Sequence, residues 1–284
     1  MKIVVGILAL VMFVYFVILL RDIIKKREVI PGEKGSWISY ILFESLAYFL
    51  VSFGVSDSAL NTLYFRVHDK VSFKKLPGTI LVGATIPSLF SALGYATSIK
   101  TDPLLVAVIV ASAICGAKLG SSVVAKSKDS TIRFLVAAAL ILSAVIMAVK
   151  ILLIGEGSGT LTSLPPSKLV IVALCEVLIS SLSMVGLGAT PPMAAVLMLL
   201  GFDPVLALGT VIIGTSILCF AGAVDFTKYD LYAKKPVVVM VLFGSPCALL
   251  ATRFVQYVDT GLLQILVLLI LLAGAAVVIF DKEG

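Results

Sequence analysis

Two short stretches of this chain combine glycines with small polar residues inside otherwise apolar segments. Residues 53–62 read FGVSDSALNT, and residues 185–193 read VGLGATPPM. In each stretch a glycine allows the backbone to turn, and the residues that follow are typical of a new helix start. A helix N-terminus offers unpaired N–H groups and a positive dipole end, which favour a small anion. The candidate binding residues are Gly54, Ser56, Ser58, Asn61, Gly186, Gly188, Thr190 and Pro191. The alternative is that they are ordinary helix caps and close-packing glycines.

Three acidic residues accompany these stretches. Glu44 and Glu176 each lie ten residues before a turn glycine, and Asp57 lies within the first turn. Carboxylates at membrane depth commonly mark ion or proton pathways, so all three are candidates for coupling transport to protons. The alternatives are that the two glutamates lie at water-exposed interfaces and that Asp57 caps the helix that follows it.

Lys118 and Lys150 lie inside apolar segments, and Lys118 is the candidate for a binding role. Lys118, in the sequence GAKLG, either faces the path of an anion or extends toward the lipid headgroups. The four cysteines have no C-x-x-C spacing, and the single histidine leaves no histidine pair for a metal site. We therefore expect no cofactor and no metal.

The amino-acid composition indicates that these residues lie in a membrane protein. Hydrophobic residues make up 60% of the chain and charged residues 13%, against about 25% charged in a typical soluble domain. Long apolar runs recur along the whole chain, which predicts a polytopic helical membrane protein within a lipid bilayer. The basic residues lie in short loops, where they orient the chain in the membrane and do not indicate nucleic-acid binding.

The chain repeats itself at an interval of about 131 residues. Residues 78–85 (GTILVGAT) recur as residues 209–216 (GTVIIGTS). Duplicated apolar halves with interrupted segments at matching positions are typical of secondary transporters. We predict membrane repeats at 38–154 and 168–284, joined by a loop at 155–167. Residues 1–37 supply an extra N-terminal transmembrane helix and a basic cytoplasmic loop.

The segments 38–65 and 168–201 are each too long for one comfortable span. Each is either a long tilted helix or a re-entrant pair of half-helices. With single crossings the Lys and Arg residues outside the spans divide 11 to 9 between the two sides, whereas re-entrant pairs divide them 16 to 4. The positive-inside rule favours the second arrangement.

We therefore predict an all-α fold with two inverted repeats, each a broken, re-entrant helix pair plus three transmembrane helices. The extra N-terminal transmembrane helix precedes them. The tips of the two pairs would meet near the midplane, and the C-terminus would be cytoplasmic.

Three motifs resemble those of the sulfite exporter TauE/SafE family. Residues 186–192 (GLGATPP) are similar to its G-x-G-G-G-x-x-x-x-P element, residues 200–210 to its continuation, and residues 116–120 (GAKLG) to its G-A-[RK]-L-G element. The resemblance covers about residues 38–280 and leaves the first span as an addition. It implies a permease for sulfite, sulfonates or related anions, driven by the proton gradient. The first repeat departs from the pattern, since it carries SDS at 56–58 in place of the glycine triplet.

We expect a multi-pass plasma-membrane carrier for a small sulfur-containing oxyanion, with a homo-oligomer possible. One alternative is a carrier of a cation or another metabolite that uses Glu44, Asp57 and Glu176. Another is a membrane assembly protein without transport activity. An enzyme is disfavoured because the sequence has no H-E-x-x-H and no G-x-S-x-G motif.

Overall fold

A computed structural model describes residues 2–68, 70–100, 102–153, 159–254 and 260–280. These residues form helices, seven of which are long and apolar enough to span a membrane. The structure therefore confirms a polytopic all-α fold. Six of these spans belong to α1 (Lys2–Lys25), α4 (Leu76–Ser98), α5 (Pro103–Lys126), α6 (Asp129–Leu153), α7 (Pro166–Ser183) and α9 (Pro204–Lys228). The seventh is formed by α10 (Lys234–Val239) and α11 (Ser245–Ala251), which a π-helical turn, Met240–Gly244, joins. Helix α12 (Thr260–Phe280) follows as a further apolar helix.

Both long predicted segments are broken helices that turn back on themselves. The first consists of α2 (Trp37–Val51) and α3 (Asp57–Val67), and the second of α7 and α8 (Thr190–Leu199). Ser39 near the start of α2 shares a 2.6 Å hydrogen bond with Tyr64 near the end of α3. Lys168 near the start of α7 donates a 2.8 Å bond to the carbonyl of Leu200, just after α8. Each pair is thus a hairpin, and we call the end with the free helix termini its mouth and the turn its tip.

Glycines of the duplicated stretches lie where α4 of the first half packs against α9 of the second. Gly78 at the start of α4 packs against the carbonyl of Leu231, three residues after α9 ends. Gly209 near the start of α9 packs against Tyr95 and Ile99 at the end of α4. The two helices are therefore antiparallel. Since each follows one hairpin directly in the chain, the two mouths lie at opposite ends of the bundle.

The other helices repeat this relation between the halves. Helix α5 packs against α7 and α9, and the continuous helix α10–α11 packs in the same way against α2 and α4. Helix α12 contacts α3, as α6 contacts α8. The order of helices in the second half therefore follows that of the first. The limits of the repeats remain predictions, and the predicted C-terminal tail, 281–284, lies outside the described residues.

Basic loops gather at one end of the bundle. Lys26 after α1 pairs with Asp230 after α9 at 2.9 Å, and Lys234 pairs with the same carboxylate at 2.8 Å. Partial burial opposes ionisation of Asp230, but the hydrogen bonds from Lys234 and Lys26 hold its pKa below the ordinary value. Lys70 at the first mouth donates to Ser39, and Lys74 donates to the carbonyl of Val124 near the end of α5. The loops that the charge count assigned to one side thus lie together.

Candidate functional site

The tips of the two hairpins meet inside the bundle. Gly188, in the second tip, lies against the side chains of Ser56 and Ser58 in the first. A Cβ atom at Gly188 would overlap the Ser56 hydroxyl, and the backbone there has φ +71°, which L side chains rarely adopt. The second tip therefore requires glycine at this position both for its conformation and for contact with its counterpart.

A small cavity lies beside this contact, between the tips and the central helices α4 and α9. Its volume is about 20 Å³, which is room for one water molecule. Polar groups from both halves face it. The lining residues are Val51, Ser52, Asp57, Ser88, Ser91, Thr190, Ile212 and Thr215.

The first tip satisfies its helix N-terminus with its own side chains. Ser56 caps α3 by accepting a 3.2 Å hydrogen bond from the amide of Ala59. Asp57 Oδ1 accepts a 2.7 Å bond from the amide of Ser58. Asn61 is fully buried and donates from Nδ2 to the carbonyl of Asp57 at 3.1 Å. These amides are therefore already occupied, and Asp57 brings a carboxyl group to the cavity.

The second tip has the opposite character. Gly188 has positive φ and Ala189 is right-handed (φ −68°, ψ −33°). Successive residues of opposite handedness direct neighbouring N–H groups toward one point, an arrangement that binds anions. The amides of residues 188–190 take no part in the backbone hydrogen bonds of the turn. Pro191 and Pro192, in the first turn of α8, have no N–H to satisfy.

The remaining turn glycines shape the tips without lining the cavity. Gly54 has φ +95° and lies against Leu208 of α9, and Gly186 has φ +116° and lies against Val136 of α6. Both positions need the left-handed backbone that glycine adopts without steric cost.

The two repeat-related glutamates are buried and stand apart from the cavity lining. Glu44 is 0% exposed and Glu176 is 2% exposed, so neither lies at a water-exposed interface. Glu176 Oε1 accepts a 2.7 Å hydrogen bond from Ser180, and its Oε2 has no partner. Both oxygens of Glu44 are without a partner among the described residues.

Lys118 is the predicted residue that the fold does not bring to the tips. Its ammonium group pairs with Asp225 on α9 at 2.7 Å, and its side chain is 50% exposed. Ser121 donates to the other oxygen of the same carboxylate at 2.7 Å. Of the residues described as lining the cavity, none is a cation.

Four hydroxyl groups of the lining were not among the predicted residues. Ser52 and Ser91 share a 2.8 Å hydrogen bond, and Thr190 and Thr215 approach within 3.4 Å. Ser88 lies one turn before Ser91 on α4. Two features of the sequence could have indicated them. Ser88 and Ser91 are polar residues three apart in an apolar helix, and Thr215 lies inside the duplicated stretch.

Nothing in the described part of the chain forms a metal site, because no three His, Cys, Asp or Glu residues converge there. The cavity brings together one carboxyl group and several hydroxyl groups beside the two re-entrant tips. Such a lining is suited to a small polar solute.

A family model for the sulfite exporter TauE/SafE matches residues 1–147 of this chain, which is more than half of its length. The chain belongs to the sulfite exporter TauE/SafE family. It is thus a multi-pass membrane permease of the TauE/SafE type. The match includes α1, which the sequence motifs had left as an addition, and it ends within α6, before the second-half motifs. No curated protein and no solved structure matched the chain.

Proposed function

We propose that this TauE/SafE permease is a proton-coupled secondary transporter for a small sulfur-containing oxyanion, such as sulfite or an organosulfonate. The observation that carries the proposal is that Asp57 of the first tip and Thr190 of the second line one small cavity, while the amides of residues 188–190 take no part in the described backbone hydrogen bonds of the turn. Amides attract a negative charge and an ionised carboxylate repels it. One site therefore contains both the binding group and the group that must change its charge.

Proton coupling follows from this pairing. No cation lines the described cavity, so an ionised Asp57 and an anion in the same small space would repel each other strongly. Protonation of Asp57 removes the repulsion and turns the carboxyl group into a hydrogen-bond donor. The anion and the proton then bind together, and loss of either one favours release of the other.

The closed tips support an alternating-access mechanism. A cavity of about 20 Å³ is smaller than sulfite, so the tips must separate before a substrate enters. Because the hairpin mouths lie at opposite ends of the bundle, opening beside one hairpin or the other exposes the site to one side at a time. The proposal includes inverted repeats in the plasma membrane, and the positive-inside rule assigns the basic loops and the C-terminal tail to the cytoplasm.

A second candidate is a carrier of a small cation. The cavity offers Asp57 and several hydroxyl oxygens without a positive side chain, and hard cations prefer such oxygen ligands. This candidate predicts that sodium, and not sulfite, is carried and that Asp57 stays ionised throughout.

Flux in proteoliposomes tests both candidates. Labelled sulfite, thiosulfate, taurine or sodium is supplied with and without an imposed pH gradient. We expect thiosulfate or sulfite to accumulate on the side opposite the acid compartment, up to about tenfold per pH unit for one proton per anion. Asp57→Asn should abolish this accumulation while leaving exchange of labelled for unlabelled anion. Sodium flux without anion flux would overturn the proposal in favour of the cation carrier.

A further inference from the structure

One face of α2 forms a buried polar stripe, which consists of Tyr40, Glu44, Tyr48 and Ser52. The four residues are spaced by four, so they lie above one another on a single helix face. All four are buried. Tyr40 donates a 2.8 Å hydrogen bond to the carbonyl of Lys34 at the mouth, and Ser52 lines the central cavity. The stripe therefore runs the length of the half-helix, from the mouth to the tip.

The middle of the stripe contains polar atoms without partners. Among the described residues, neither oxygen of Glu44 has a hydrogen-bond partner, nor does the hydroxyl of Tyr48. Leaving such groups unpaired in the interior is costly, and few native proteins retain them without a functional reason. A carboxyl group and a hydroxyl group one helical turn apart are suited to passing a proton.

Each end of the stripe reaches a further titratable group. At the mouth, Lys70 donates to Ser39 at 3.0 Å and also to Tyr64. The Lys70 ammonium group lies 4.8 Å from the centre of the Tyr40 ring. At the tip, Ser52 and Asp57 line the same central cavity.

Other charges on the elements around α2 are directed elsewhere. Lys235, before the π-helical turn, donates to Glu33 and lies over the Trp37 ring at 5.4 Å. Arg66 on α3 donates to the carbonyl of Val71 and covers the Phe73 ring at 4.1 Å. The part of the π-helical turn that faces the stripe is Gly244, which packs on the Tyr48 ring. Lys70 and Asp57 are therefore the charged groups that the described contacts place at the two ends of the stripe.

The second hairpin has no equivalent of this stripe. With Glu176 aligned to Glu44, the positions of Tyr40, Tyr48 and Ser52 are occupied by Val172, Ser180 and Met184. Val172 and Met184 are fully buried, so apolar side chains interrupt the face on both sides of the acid. The hydrogen bond from Ser180 fixes Glu176 within its own helix.

We propose that the proton exchanged with Asp57 travels through the first hairpin alone, along the stripe from Tyr40 to Ser52, with Glu44 as its carrier. In the closed structure the Tyr48 hydroxyl and both Glu44 oxygens have no hydrogen-bond partner among the described residues, so the transfer requires movement of the first hairpin. In that step Tyr48 accepts the proton of the Asp57 carboxyl group and gives its own hydroxyl proton to the Glu44 carboxylate. Asp57 ends ionised, Glu44 ends neutral and Tyr48 is unchanged. The path opens at the mouth beside Lys70. The inference rests on the proposed function, since it supplies a route for the proton that accompanies the anion.

Two assays on the purified full-length protein separate this route from transport itself. Anion exchange at equal pH requires no net proton movement, whereas accumulation driven by a pH gradient does. We expect Glu44→Gln to reduce the rate of pH-driven accumulation about a hundredfold, as for loss of a proton-transfer group, and to leave exchange intact. The matched control is Glu176→Gln, an equally buried acid in the other repeat, which should retain both activities.

Tyr48→Phe, which removes one hydroxyl group and preserves packing, addresses the case in which Glu44→Gln fails to fold. It should slow pH-driven accumulation about tenfold, the effect of one hydrogen bond to a charged group. Glu44→Asp, which keeps the carboxyl group, should be faster than Glu44→Gln in the same assay. Normal pH-driven accumulation in both Glu44→Gln and Tyr48→Phe, or its loss in Glu176→Gln, would overturn the route. Absence of anion exchange in the unaltered protein would instead reject the proposed function.

Discussion

The two hairpins share one backbone design and have different chemistry. Both turn at a glycine with positive φ, Gly54 or Gly186, and both place a short helix after the turn. The first then carries Ser56 and Asp57 where the second carries Gly188 and Ala189. In the first tip side chains occupy the helix amides, whereas the amides of residues 188–190 in the second take no part in the described backbone hydrogen bonds of the turn. Under the proposed function the two copies divide the work, with the proton carried by the first hairpin and the anion bound by the second.

This division has a physical cause. A carboxyl group and free amides on the same tip would satisfy each other, as Asp57 and the amide of Ser58 already do. Placing them on opposed tips leaves the amides available for a substrate and keeps the acid within electrostatic reach of it. The two tips can then bind an anion and a proton together only when the hairpins are correctly placed.

The largest expected effect comes from filling the contact between the tips. Gly188→Leu adds a side chain where Ser56 and Ser58 already lie, at a backbone φ that costs an L residue about 1–2 kcal/mol. It also disturbs the free amides of the second tip. We expect flux to fall to the background level while folded protein remains in the membrane, as measured by uptake at matched protein amounts in proteoliposomes.

A leucine at Gly6 is the matched control, because that glycine is exposed on α1 and a Cβ atom there meets nothing within 4 Å. Gly6→Leu should transport normally. Undiminished flux in Gly188→Leu would show that the meeting of the tips is not the transport site.

The hairpins themselves were predictable from the sequence. Long apolar segments broken by Gly54 and Gly186, the duplicated stretches and the loop charges together predicted two half-helix pairs, and the structure confirms their turn-back shape. These features can be read from sequence because a turn depends on the local residue types and the positive-inside rule depends only on a count of loop charges.

The composition of the cavity was only partly predictable. Asp57 and Thr190 lie in the recognisable turns, but Ser52 and Ser88 belong to helix faces that only packing orients toward the centre. The occupied amides of the first tip agree with the alternative of ordinary helix caps, which the sequence left open. Whether a serine or aspartate side chain satisfies its own helix or a ligand depends on its rotamer, which a sequence pattern does not determine.

An intermediate effect should distinguish the two turn glycines. Gly54→Ala and Gly186→Ala each place a Cβ at a positive φ, which costs about 1–2 kcal/mol of stability. At Gly54 the Cβ would also lie 3.2 Å from Leu208, whereas at Gly186 it would lie an ordinary 3.6 Å from Val136. We expect both variants to unfold at lower temperature than the unaltered protein in detergent, with the larger decrease for Gly54→Ala. The reverse order would mean that Leu208 yields more easily than Val136.

The smallest effect is expected at Lys118, which the sequence left open between the anion path and the lipid headgroups. The structure pairs it with Asp225, more than a hundred residues away, and such a pairing arises only from the packing of α5 on α9. A half-exposed ion pair contributes about 0–1 kcal/mol, so Lys118→Gln should lower the unfolding temperature slightly or not at all. Because the lysine is absent from the cavity lining, anion affinity from concentration-dependent exchange should match that of the unaltered protein. A clear loss of affinity would place a third charged group at the site, and the two tips would then no longer account for anion binding by themselves.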